Sequence, residues 1–186
     1  MKQITTLCLL SLALVTASAQ DIQMGVNKVA KGYEYGNTPF PEGMMVFQLD
    51  KSKHYLKAEG VTLIQVWTLR DGARPELWQK AREIEKAYKD QGLTTLSVNF
   101  ENGSSFSRQL SDLNDFFKYV ERPENLYFDP MGYVTDMLKV PGFPIYYLVD
   151  DKGNIIFKTL GEDEEGVATL ETEIAALLSA KSKDKG

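Results

Sequence analysis

Residues 61–67 read VTLIQVW, a run interrupted only by Thr62 and Gln65. A near-continuous β-branched and apolar stretch of this length marks a strand buried on both faces, and such a strand needs a covering layer on each side. Residues 94–100 (TTLSVNF) repeat the pattern. Between the two runs, Leu77, Ala81, Ile84 and Tyr88 recur at i, i+4, i+7 and i+11, which places them on one face of a helix. Pro75 suits the first turn of that helix and Gly92 its end. Strand, helix and strand in this order predict two parallel strands joined by a helical crossover.

The rest of the chain extends the plan. Leu110, Leu113, Phe116, Phe117 and Val120 form a second helical face, residues 126–128 a short extended piece and residues 134–138 a short helix. The period then changes. Residues 145–149 (IYYLV) and 155–160 (IIFKTL) read as strands, joined by the turn-rich DDKGN as a hairpin. Val167, Leu170, Ile174 and Leu177 make a closing helix, and residues 181–186 read as a solvated tail. Residues 44–49 suit a short strand. Residues 20–42, rich in Gly and polar side chains, contain NTPFP at 37–41, which cannot be regular helix, and read as an extended lead-in. The order β-α-β-α-(α)-β-β-α predicts an α/β fold, a central mixed β-sheet with helices on both faces.

The first 19 residues are set apart. Lys2 precedes an apolar stretch, and Ala17-Ser18-Ala19 fits a small-residue cleavage site, the pattern of a signal peptide. The stretch is short of the ~20 apolar residues that span a bilayer, and threonines and serines interrupt it. Cleavage there would remove Cys8, the one cysteine of the chain, and leave a domain held by its core alone. Twenty-one Lys and Arg against 26 Asp and Glu, a formal charge of −5, argue against a nucleic-acid binder. One cysteine and one histidine exclude a zinc cluster, an internal disulfide and a Cys–His site, so no metal or other cofactor is expected.

Three local patterns, in order, resemble the thioredoxin-like superfamily, and within it the exported thiol–disulfide oxidoreductases (the redoxin-like branch) with an extra helix in mid-domain. QVWTLRDGARPEL stands where that family has a strand, a Trp and then its Cys-x-x-Cys turn entering a helix. Val140-Pro-Gly-Phe-Pro144-Ile145 resembles its cis-proline loop, and Leu148-Val-Asp-Asp-Lys-Gly-Asn-Ile155 its strand–turn–strand. The resemblance covers residues 43–180 and implies a thioredoxin-like domain and an exported protein of the periplasm or cell envelope. The pattern departs at the motif itself. Counted from Trp67, the family's cysteines fall on Asp71 and Arg74; counted from the Arg-x-Glu-Leu at residues 74–77, they fall on Arg70 and Ala73. Neither register supplies a sulfur. Thiol–disulfide exchange needs an attacking thiolate and a second thiol to release the mixed disulfide. The resemblance therefore implies the fold and withholds the activity: a redox-inactive protein, not an enzyme, with no catalytic residue.

The surface made by Arg70, Asp71, Gly72, Ala73 and Arg74 with the loop before Pro144 leaves three roles open. One is binding an extended peptide or partner protein, with Trp67, Gly142, Phe143 and Pro144 as the binding residues. In the resembled family the backbone before the cis-proline pairs with an extended chain. A second is anion binding by Arg70 and Arg74 at a helix start, where Asp71 competes as the N-cap. The third is acid–base work by Asp71. Two alternatives to a binding module remain: an oxidoreductase-like protein with chemistry other than a dithiol, and a structural envelope protein that dimerises through an exposed strand or Trp78. His54 reads as a solvated loop residue, and Glu162 to Glu165 as the acidic first turn of the closing helix. No stable membrane insertion is expected after the first 19 residues.

Overall fold

The 61–67 run forms the strand Thr62–Trp67, all six residues buried, and the sheet is built outward from it. The computed structural model describes residues 34–72, 75–103 and 105–183; the expected signal peptide, Cys8, Ala73 and Arg74 lie outside them. In chain order the strands are β1 (Glu34–Pro39), β2 (Met45–Phe47), β3 (Lys53–Tyr55), β4 (Thr62–Trp67), β5 (Thr94–Asn99), β6 (Leu126–Phe128), β7 (Ile145–Val149) and β8 (Asn154–Leu160). The helices are α1 (Leu69–Gly72), α2 (Pro75–Tyr88), α3 (Phe106–Phe116), α4 (Tyr133–Met137) and α5 (Glu164–Lys183). They form one sheet in the order β1-β8-β7-β4-β5-β6-β2-β3. β4 runs parallel to β5, with Trp67 opposite Asn99, and antiparallel to β7, with Val66 opposite Ile145. The mixed sheet expected from the sequence is present, and its parallel part is β4, β5 and β6, with α2 in the first crossover and α3 in the second.

Alternation along the central strands sends side chains to two cores. Ile64 and Val66, Leu96 and Val98, and Ile145, Tyr147 and Val149 share one face. Val134 and Leu138 cover it from α4, and Met44, Val46 and Leu56 from the region of β2 and β3. On the other face Leu63, Tyr146 and Leu148 meet Ala81 and Ile84 of α2 and Val167, Leu170, Ile174 and Leu178 of α5. Each fully buried aliphatic side chain stabilises by about 1.5–3 kcal/mol relative to exposure, so this face holds α2 and α5 down although their outer faces are polar. α2 gives way to a 3-10 turn at Lys89–Gln91, and Gly92 closes it with φ +100, a left-handed conformation that glycine adopts without steric cost.

Four expectations change. The lead-in is not merely draped: residues 34–39 form β1, antiparallel to β8, with a register irregularity between Glu34 and Thr38. Asn37 lies inside it at φ +51, a conformation that Asn tolerates better than other side chains. β3 was not expected at all. Residues 181–183, expected in a solvated tail, continue α5 instead. Phe117 and Val120 lie beyond the end of α3 yet pack against its core.

Candidate active-site turn and cis-proline loop

β4 ends at Trp67, and the chain enters the helical turn α1 two residues later. The Leu69 backbone N–H, a donor left over at the start of the turn, is taken by the Glu101 carboxylate. The same oxygen, Oε1, accepts from Asn99 Nδ2 at 3.1 Å, and Asn99 Oδ1 in turn accepts from Gln109 Nε2 at 2.8 Å. A chain of polar groups thus runs from α3 through the end of β5 to the first N–H of α1. This corrects the reading of Asp71 as an N-cap. The turn opens two residues before Asp71, and its leading donor is satisfied by a carboxylate 32 residues away in sequence. Arg70 is exposed in the last turn of α1, and Asp71 and Gly72 complete it.

Trp67 is also corrected. It is fully buried, so it is not a residue that touches a partner. Its ring lies 4.6 Å from Trp78, 5.7 Å from Phe116 and 6.3 Å from Phe117, centroid to centroid. Its Nε1–H donates to Ser97 Oγ at 2.9 Å, which gives the indole's one polar atom a partner. Ser97 Oγ donates to Gln65 Oε1 at 3.4 Å. Arg82 Nη2 donates to the same Gln65 oxygen at 3.4 Å, while its Nη1 pairs with Glu85. Burial pulls the Arg82 guanidinium below its ordinary range, against the opposing pull of Glu85. Trp78, 4% exposed with Arg82 stacked over it at 5.1 Å, is a core residue. The reading in which it holds a dimer together loses its contact residue.

Beside this turn the Phe143–Pro144 peptide bond is cis, and Pro144 is buried while Gly142 and Phe143 are half-buried. Gly161 N–H donates to the Pro144 carbonyl at 2.8 Å. A Cβ at Gly161 would lie 2.7 Å from Pro144 Cγ, so only glycine lets β8 pass this close to the loop. The Phe143 ring stacks on Phe100, centroids 5.9 Å apart at 25°. Phe100 N–H donates to the Trp67 carbonyl at 2.9 Å. Phe100 therefore joins the end of β4 to the proline loop, a role sequence reasoning missed. Among the described residues, no hydrogen bond reaches the backbone N–H or C=O of Phe143.

Other titratable groups sit at helix starts and on the sheet. Asp129, fully buried, accepts the Val134 and Thr135 N–H groups on Oδ2 at 2.9 and 3.1 Å, at the start of α4. Its Oδ1 has no partner among the described residues, and burial pushes its carboxyl above the ordinary range. His54 is not a loop residue: it sits half-buried on β3, stacked on Tyr127 at 5.1 Å and 19°. Asp163 stands before α5 and accepts the Gly166 N–H at 3.0 Å, so the acidic run does open that helix. Among the described residues no helix is long and apolar enough to cross a membrane.

Solved structures of similar shape carry names from one group. A protein from Chlorobium tepidum described as a thiol:disulfide interchange protein DsbE superposes with a TM-score of 0.64 at 21% identity, over 76% of this chain and 96% of its own. A thiol:disulfide interchange protein from Bacteroides sp. gives 0.56 at 21%, over 75% and 90%. The exposed lipoprotein thioredoxin Etrx1 of Streptococcus pneumoniae gives 0.54 at 17%, over 72% and 99%. No family model and no curated protein matches the sequence. At these identities the likeness shows the fold: this chain has the thioredoxin-like fold. Its 186 residues contain a single cysteine, at position 8.

Proposed function

We propose that this chain is an exported, redox-silent binding module that takes an extended polypeptide at the loop before Pro144. The observation that carries the reading is the Phe143 backbone, whose donor and acceptor make no hydrogen bond among the described residues. They stand beside a helical turn with no sulfur in it. An unpaired edge of this kind binds by strand addition, in which main-chain hydrogen bonds supply affinity and no thiol takes part. Gly142, Phe143 and Pro144 form the site; Trp67 supports it from the core.

The chemistry of the turn supports the negative half of the proposal. A dithiol needs two sulfurs within reach, and none of Arg70, Asp71, Gly72, Ala73 and Arg74 supplies one. Removal of residues 1–19 as a signal peptide would take Cys8 as well. Mass spectrometry of protein recovered from its native host tests that step.

The experiment pairs two assays on the full chain and on Cys8→Ser. In insulin reduction with dithiothreitol, both proteins should match the rate of dithiothreitol alone. Both should also retain a reduced, carboxymethylated unfolded polypeptide on a column. Turnover by either protein, or failure to retain the polypeptide, overturns the proposal.

A further inference from the structure

Five large apolar side chains are exposed among the described residues: Tyr55, Tyr119, Met131, Tyr133 and Met137. Three of the five flank or form α4. Tyr133 and Met137, each 41% exposed, are four residues apart and share one face of the helix, while Val134 and Leu138 are buried in the core. Met131 is 63% exposed. Gly132 lies between Met131 and Tyr133, and a Cβ there would sit 3.6 Å from Phe100 Cε2. Phe100 stacks on Phe143. Phe100 thus lies between the Phe143 ring and the start of α4, and Phe143 packs against the same core cluster as Val134 and Leu138 at the inner face of α4.

We infer that the polypeptide received at Phe143 is one that carries a bulky aliphatic or aromatic side chain, seated on the patch formed by Phe100, Met131, Tyr133, Met137 and Phe143. The inference rests on the peptide-binding reading and narrows its partner. The occupant follows from the two halves of the site together. The N–H and C=O of Phe143, which make no hydrogen bond among the described residues, match the backbone of an extended chain, not a lipid and not a packed helix. Such a chain advances about 3.2–3.4 Å per residue and turns alternate side chains to the same face. In the proposed complex its side chains next to the Phe143 pairing fall toward α4, whose buried residues Val134 and Leu138 share a core cluster with Phe143. Two methionines beside a tyrosine give a surface that adapts to different apolar shapes and selects for apolarity more than for one residue. A cluster of exposed apolar groups next to a site is an interaction surface more often than a neutral feature of a monomer.

The test uses short labelled Gly/Ser peptides that differ only in a central Leu, Phe, Asp or Lys, read by fluorescence anisotropy against the full chain. A variant combining Met131→Ser, Tyr133→Ser and Met137→Ser changes exposed positions only, and its melting temperature checks that it folds. The Leu and Phe peptides should bind more tightly than the Asp and Lys peptides, and the variant should weaken them by about tenfold or more. Equal binding of all four peptides, unchanged in the variant, overturns the patch and leaves the peptide site standing. If no peptide binds, the underlying reading fails and the inference with it. A dimer in sedimentation that the triple variant abolishes would make the occupant a second copy and overturn the assignment.

Discussion

Replacing Glu101 should loosen the turn that follows β4. In Glu101→Ala the Leu69 N–H loses its carboxylate and Asn99 Nδ2 loses one acceptor, keeping the Trp67 carbonyl at 3.4 Å. A hydrogen bond to a charged group contributes about 1.5–3 kcal/mol, and loss of a capping side chain costs about 0.5–2. Glu101 and Leu69 are both half-buried, so water recovers part of the loss. The expected cost is about 1–2 kcal/mol. For a domain of this size that is a fall in melting temperature of roughly 2–8 °C, at about 2–4 °C per kcal/mol. Glu101→Gln keeps an acceptor oxygen at the same reach and should lose roughly half as much. Thermal unfolding by circular dichroism gives the stabilities, and hydrogen exchange at the Leu69 amide gives the local effect, which should exceed the global one. If Glu101→Ala melts with the wild type, or Gln and Ala variants are equal, Glu101 does not hold the turn.

Three further outcomes follow from the same geometry. Burial raises the Asp129 carboxyl above the ~3.9 of an unfolded chain, so its contribution to stability is greatest below that pH and is lost as pH rises through the folded-state value. Asp129→Asn keeps an oxygen for the α4 N–H groups and escapes that loss; its urea midpoint should therefore gain on the wild type as pH rises above about 4, and a constant difference would contradict the assignment. Gly161→Ala forces a Cβ against Pro144; it should cost about 1–3 kcal/mol by denaturant unfolding and weaken peptide binding, and an unchanged variant would show the loop yields freely. Trp67→Phe leaves Ser97 without its indole donor and should cost about 2–4 kcal/mol, with the folded variant's peptide affinity intact; a large affinity loss would return Trp67 to the binding surface.

The elements legible in the sequence are those whose burial writes a pattern. β4, β5, β7 and β8 are apolar runs because both their faces are covered, and α2 and α5 carry a helical period because one face meets the sheet. β1 hides its nature. It ends in Pro39, which an edge strand accepts, and Asn37 sits within its irregular register. β3 has three residues, Lys53, His54 and Tyr55, too few and too exposed to show alternation. The turn at Asp71 was misread because a helix start normally finds its cap next door in sequence. Here the cap is Glu101, brought alongside by the parallel pairing of β4 and β5. Trp67 and Trp78 stayed open between core and binding surface for a related reason. Large aromatics suit both cores and interfaces, and only the aromatic cluster with Phe116 and Phe117 decides between them.

In the proposed complex the Phe143 backbone receives a chain without help from sulfur. Amide chemical shifts recorded while a cysteine-free, leucine-bearing peptide is added test it residue by residue. The Phe143 and Gly142 amides should move most, and the Phe143 N–H should become slow to exchange in the complex. Binding that leaves Phe143 unmoved, with shifts gathered at the β3 edge instead, would contradict it.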